Sequence, residues 1–78
     1  MKVVVTRFKD GSFCVSDGDS MVVVSLASEA SLWASWKLKK DFNEIKHHVG
    51  CLNTYDMVEL TEDGKVSFAK IDYSEMFG

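Results

Sequence analysis

The chain of 78 residues contains no proline, only two cysteines and five glycines. At the average usage of roughly 5%, about four prolines would be expected, so their absence excludes a proline-rich linker or recognition motif. No apolar run approaches the roughly 18 residues that a membrane-spanning helix needs. The N-terminal segment lacks the long apolar core of a secretory signal peptide. We therefore expect a compact domain that is neither exported nor inserted in a membrane.

The two cysteines, Cys14 and Cys51, are too few for a disulfide framework. Without an export signal we expect both to be reduced thiols in a cytoplasmic protein. A structural zinc ion needs four ligands, usually supplied as pairs at short spacing. His47, His48 and Cys51 are close in sequence, but Cys14 stands alone on a predicted strand. The sequence thus predicts no metal and no cofactor, and no grouping of residues predicts catalysis.

The charge balance is mildly acidic, with nine basic and twelve acidic residues, a net charge of −3 and a pI near 5.2. Binding of nucleic acid through its phosphates needs a basic footprint, which makes this class of partner unfavourable. Four of the basic residues nevertheless fall in one segment, namely Lys37, Lys39, Lys40 and Lys46. This cluster predicts a solvated helix face, with a docking patch for an anion as the alternative.

The apolar content of 46% and the charged content of 27% are close to the averages of globular proteins. A chain of this length buries a little over roughly 60% of the surface that it exposes when unfolded, which suffices for one modest core. We therefore expect a single domain that spans residues 1–78. Its last seven residues, 72–78, are acidic and aromatic, and we expect them to form a loose tail.

Alternating and β-branched residues predict five strands, at residues 2–8, 12–16, 21–26, 57–61 and 65–71. Aspartate followed by glycine suits the positive φ angles of tight turns, and Asp10-Gly11 and Asp63-Gly64 each separate two of these strands. Because strands joined by such short connections pair antiparallel, we expect an antiparallel sheet.

Between the third and fourth strands, the apolar spacing becomes helical over residues 27–49. Offsets of four, four, three and four relate the members of one stripe, Ala34, Leu38, Phe42, Ile45 and Val49. Ser28 is the expected N-cap, and Gly50 stands where a glycine commonly follows a helix. The order β-β-β-α-β-β predicts an α+β fold in two layers, an antiparallel sheet of about five strands with one long helix packed on one face.

The hairpin that follows the helix is similar to the wing of a winged-helix domain. That fold needs two further helices before its recognition helix, whereas the first third of this sequence consists of predicted strands. Nucleic-acid binding, through the lysine-rich helix face or through the hairpin that carries Lys65, is therefore the second hypothesis for function.

The two tryptophans do not fit the stripe. At 100° per residue, Trp33 and Trp36 point roughly 140–160° away from it. In one interpretation the sheet curls or the tail folds over, and Tyr73, Met76 or Phe77 covers them. In a second, the helix breaks into residues 28–37 and 41–49, because the segment that starts at residue 41 resembles a capping box. In a third, both rings stand on the surface, where exposed aromatic patches usually mark interfaces.

The leading hypothesis is a small non-enzymatic interaction module that docks on a larger protein. Trp33 and Trp36 would be its hydrophobic anchors, with Lys37 and Lys40 at the rim. In size and acidity the chain resembles small accessory proteins of phages and mobile elements, which often inhibit a host enzyme or defence complex. The expected partner is therefore a larger host protein or complex. A third hypothesis is a homodimer sealed by the tryptophan face or by an exposed edge strand.

Overall fold

The computed structural model describes residues 1–71, and the predicted tail with Tyr73, Met76 and Phe77 lies outside this part of the chain. The five strands are β1 (Lys2–Arg7), β2 (Phe13–Ser16), β3 (Met21–Val24), β4 (Met57–Thr61) and β5 (Val66–Ala69). Two helices stand between β3 and β4, α1 (Ala27–Leu38) and α2 (Phe42–Gly50), and a 3-10 turn (Cys51–Asn53) follows α2.

The strands form one sheet in the order β3-β2-β1-β4-β5, and all neighbours in it are antiparallel. The α+β fold with a five-stranded antiparallel sheet is therefore confirmed. Both predicted aspartate-glycine turns are present, and Gly11 and Gly64 each adopt a φ of 91°, a region that favours glycine. β1 is the central strand, where Val5 lies opposite Val15 on one side and Val58 on the other.

The prediction of one long helix was wrong, because the helix breaks after Leu38. Lys39 adopts the left-handed conformation, with φ 55° and ψ 43°. The next amide, that of Lys40, then donates a hydrogen bond of 3.1 Å back to the carbonyl oxygen of Ser35. A left-handed residue followed by such a bond is a common way for a helix to end, since it satisfies carbonyls in the last turn.

The second helix begins at the position that the alternative interpretation had identified. The side chain of Asp41 accepts hydrogen bonds from the backbone amides of Asn43, at 2.8 Å, and Glu44, at 3.2 Å. These two amides have no partner inside the helix, and an aspartate at the N-cap satisfies them. The chain thus ends one helix and starts another within three residues.

Two predicted helix ends also differ from the structure. Ser28 is not the N-cap, because α1 follows β3 so closely that the helix already starts at Ala27, with Leu26 as an N-cap that makes no side-chain bond. Gly50 is the last residue of α2 and has right-handed angles, φ −60° and ψ −23°. The backbone continues into the 3-10 turn, so no left-handed glycine is needed there.

Replacing Lys39 with glycine is expected to raise the free energy of unfolding by about 0.5–1 kcal/mol, because a left-handed backbone strains every residue with a Cβ atom. Urea denaturation of the variant and of wild type measures the difference. Lys39→Val is the matched control and is expected to destabilise, since a β-branched side chain fits this conformation worst. A glycine variant less stable than wild type would contradict the assigned backbone conformation.

The core lies between one face of the sheet and the two helices. Its members come from strands, helices and the 3-10 turn: Val3, Val5, Phe13, Val15, Ala30, Ala34, Leu38, Ile45, Val49, Leu52, Val58 and Leu60. Four of the five residues of the predicted stripe are buried, and the fifth, Phe42, is half-buried. The stripe therefore does face the sheet, although it is shared between two helices.

The inner face of α1 consists almost entirely of small residues, Ala30, Ser31, Ala34 and Ser35. The two serine hydroxyls donate to carbonyl oxygens of the preceding helical turn, at 2.8 and 2.9 Å, so neither is left without a partner. Small side chains let the helix lie close to the sheet. As a result, three of the large apolar side chains of α1 are on its outer side, while Leu38, at its end, is buried.

Candidate docking surface on the first helix

Three large apolar side chains project outward from α1, with 56% of Leu32, 41% of Trp33 and 70% of Trp36 exposed to solvent. We call these three residues the Trp surface. Residues three and four apart on a helix share a face, which explains why the three side chains are adjacent. They line a surface hollow of about 430 Å³.

The two indole rings contact each other edge to face, with centroids 5.7 Å apart and planes at 85°. This is a preferred arrangement for aromatic pairs, because the positive edge of one ring meets the negative face of the other. Each ring therefore limits the side-chain conformations open to the other. The exposure agrees with the interpretation that the rings stand on the surface, while their role as anchors stays a prediction.

Lys37 lies next to the Trp surface, but its charge is already paired. Its ammonium nitrogen is 2.9 Å from a carboxylate oxygen of Asp17 and 3.1 Å from the hydroxyl oxygen of Ser20, both in the turn between β2 and β3. Only 10% of the lysine side chain is exposed. The same ammonium is 6.0 Å from the centre of the Trp36 ring. Lys37 therefore links α1 to the turn between β2 and β3, and its ammonium group lies beside the Trp36 ring.

The bond from Lys37, together with the backbone amides of Ser20 and Asp19, holds the pKa of the Asp17 carboxyl well below its usual range. A carboxyl with a lowered pKa stabilises the fold fully above its unfolded pKa of about 3.9. This contribution is lost as the pH falls toward the folded value.

The Asp17→Asn variant is expected to be less stable than wild type at neutral pH. The gap in unfolding free energy between the two proteins is expected to narrow at acidic pH. Denaturant midpoints of both proteins at pH 7 and near pH 3 measure it. Because the other carboxyls are the same in both proteins, the change in the gap reports on this ion pair. A gap that stays constant over this range would contradict the link between Lys37 and Asp17.

Lys40, the second lysine predicted at the rim, lies elsewhere. It lines a narrow hollow between α2 and the β4–β5 hairpin, together with Glu44, Leu60 and Lys65, and neither tryptophan borders that hollow. The helix break explains this position, because the left-handed residue before Lys40 turns the chain away from the outer side of α1.

Lys39 belongs to the predicted lysine cluster but was not predicted at the rim of the tryptophans, where the structure places it. With Met1, Asp17 and Lys37 it lines a hollow of about 420 Å³, of which Trp36 forms one wall. Lys39 is exposed and makes no ion pair within residues 1–71. The capping signal at residue 41 could have revealed it, because a helix that ends before that residue gives the lysines near the break new directions.

The lysine cluster does not form one basic face. Lys37 is paired with Asp17, Lys39 borders Trp36, and Lys40 lies beside the β4–β5 hairpin. The fourth, Lys46, has its ammonium 5.8 Å from the ring of Phe42 on α2. No observation on the structure therefore favours nucleic-acid binding over docking on a protein.

The other reactive side chains do not assemble into a site. Within residues 1–71, no group of three His, Cys, Asp or Glu side chains is close enough to hold a metal ion. Cys14 and Cys51 are both free thiols, and burial raises the pKa of the Cys14 thiol, which disfavours the reactive thiolate. His47 and His48 contact each other edge to face, with ring centres 5.7 Å apart.

No helix within the described residues is long and apolar enough to cross a membrane. Comparisons of the chain with protein-family models, with curated proteins and with solved structures found no match.

Proposed function

We propose that this chain is a small non-enzymatic interaction module that docks on a larger protein through the Trp surface. The observation that carries the proposal is the arrangement of α1. Apart from Leu38, its core-facing residues are small, while Leu32, Trp33 and Trp36 face solvent. A helix that served the fold alone would place its largest apolar side chains inward.

Tryptophan is among the residues that contribute most to protein interfaces, especially when surrounded by contacts that exclude water. The two rings already fix each other's orientation, so less side-chain freedom would be lost on binding. Lys39 borders Trp36 and makes no ion pair within residues 1–71. The complementary partner surface is thus an apolar pocket with an acidic group at its margin.

We extend the proposal to the kind of partner. The small size and the charge of −3 are typical of accessory proteins from phages and mobile elements, whose partner is a larger host protein or complex. Occupying a functional surface of that partner would inhibit it without any chemistry. We further propose that the chain acts in the cytoplasm, a reducing compartment that suits two free thiols.

Affinity capture from a lysate of the native host cells tests the proposal. Wild type is expected to retain a specific protein, and Trp36→Ala is expected to lose it, because a tryptophan hot spot contributes about 2 kcal/mol or more to binding. Trp33→Ala is expected to act in the same direction.

Phe8→Ala is the matched control, because Phe8 is also an exposed aromatic residue but lies beside the β1–β2 turn, at the other end of the sheet from Met1 and the hollow that borders Trp36. Circular dichroism of each variant verifies that it is folded. If a folded Trp36→Ala chain retained the same proteins as wild type and Phe8→Ala, the Trp surface would not be the docking site.

A further inference from the structure

The outer edge of β3 is open. β3 pairs with β2 and, within residues 1–71, with no other strand. In an antiparallel pair, facing residues alternate between hydrogen-bonded and non-bonded pairs. The amide of Asp17 donates to the carbonyl oxygen of Ser20 at 3.2 Å, which identifies these two residues as a bonded pair. Counting outward along the register, the next bonded pairs are Val15 with Val22 and then Phe13 with Val24.

Met21 and Val23 are the residues left over by this alternation. Their amides and carbonyls point away from β2, toward the free edge. Their side chains, on the face of the sheet opposite the helices, are 70% and 58% exposed. Met21 and Val23 therefore each present unpaired backbone groups at the edge and an exposed apolar side chain.

This edge also lacks the usual protection. Proteins commonly place charges on exposed edge strands to prevent pairing with other chains. The opposite edge strand, β5, is flanked by Lys65 and Lys70. In contrast, no charged residue occurs between Asp19 and Glu29, a stretch that contains all of β3. Two copies of β3 could therefore approach without repulsion between like charges.

The strand that best fits this edge is β3 itself. Antiparallel pairing about a two-fold axis matches the outward donors of each copy with the acceptors of the other. Val22 and Val24 face the helices and are only half-buried, so they can accept apolar neighbours from a second copy. The corresponding valines of the partner strand supply such neighbours.

Further apolar side chains lie beside this edge. Leu26, at the end of β3, is largely exposed, and so are Met21 and Val23. A four-residue strand alone falls short of the about 800 Å² per partner that a stable interface buries, and these side chains enlarge it.

We propose that the chain forms a symmetric dimer in which β3 pairs antiparallel with β3 of a second copy, joining the two sheets into one of ten strands. Trp36 borders Met1, at the start of β1, and Lys39 rather than β3. The dimer would therefore present two docking sites rather than one. The proposal goes beyond docking on a partner and does not depend on it, because the dimer forms from the isolated chain.

Analytical ultracentrifugation of the purified full chain, from micromolar to roughly millimolar concentration, measures the dimer and its dissociation constant. Val23→Pro is the diagnostic variant. Proline removes the amide of Val23, which points outward and pairs with no strand within residues 1–71, and it also fixes φ near about −65°, which edge strands tolerate. Because each dimer loses that hydrogen bond twice, the dissociation constant is expected to rise at least about tenfold. Val23→Lys is a second variant, which adds a charge instead of removing a bond.

Val66→Pro is the matched control on the other edge and is expected to leave the dimer unchanged. Trp36→Ala is expected to leave it unchanged too, which separates this inference from the docking proposal. A wild-type chain that sediments as a monomer at all concentrations would overturn the inference. So would a dimer that persists in both folded Val23 variants, or one that is lost in Trp36→Ala.

Discussion

Replacing Leu60 with alanine is expected to leave much of the chain unfolded under conditions in which wild type is folded. Leu60 is 2% exposed and belongs to the core beneath the helices. Removing a buried leucine side chain costs about 2–5 kcal/mol, because apolar contacts are lost and a cavity remains. A core of this size rarely supplies more than about 3–5 kcal/mol to the free energy of unfolding. One such change therefore removes most or all of that stability.

Thermal unfolding followed by circular dichroism measures this effect. The control is Val66→Ala, on the strand directly across from Leu60, where the side chain is 36% exposed. We expect this variant to lose about 1 kcal/mol or less, because little buried surface is removed. Equal losses at the two positions would contradict the placement of the core.

The second large effect is expected for Ala34→Leu. Ala34 is fully buried on the inner face of α1, where small side chains let the helix lie close to the sheet. Inserting a larger side chain into a packed core costs about 1–3 kcal/mol, because neighbouring side chains and backbone have to shift.

Urea denaturation of Ala34→Leu gives the size of this loss. Ser28→Leu makes a similar change at an exposed position of the same helix, where we expect an effect within about 0.5 kcal/mol of zero. If Ala34→Leu were as stable as wild type, α1 would not be held against the sheet by its small face. The outward placement of Leu32, Trp33 and Trp36 would then no longer support docking on a partner.

The sheet could be predicted from the sequence because its signals are local. Alternating apolar residues and aspartate-glycine turns are read within a few positions, and antiparallel pairing follows from short connections. The helix break could not be read from the stripe. Leu38 and Phe42 are four apart, a spacing that suits a continuous helix and equally suits the observed turn between two helices. Lys39 ends α1 without the glycine that usually marks such an end.

The Trp surface was predictable because the direction of a helical side chain depends only on its position along the helix. The positions and contacts of the lysines could not be predicted in this way. Lys37 is paired with Asp17, twenty residues earlier, and nothing in either local sequence indicates that the two would meet. The directions of Lys39 and Lys40 depend on the break between α1 and α2. Local pattern thus predicted that the two rings point away from the core, while the positions of the lysines depended on tertiary structure.

We propose that Trp33 and Trp36 serve a partner rather than the core. The unfolding free energy of the Trp33→Ala/Trp36→Ala double variant tests it most directly. We expect a value within about 1 kcal/mol of wild type, because the lost ring contact is offset by the higher helix propensity of alanine. A loss of about 3–5 kcal/mol or more, typical when buried tryptophans are replaced by alanine, would show that the rings hold the fold together and would contradict the account.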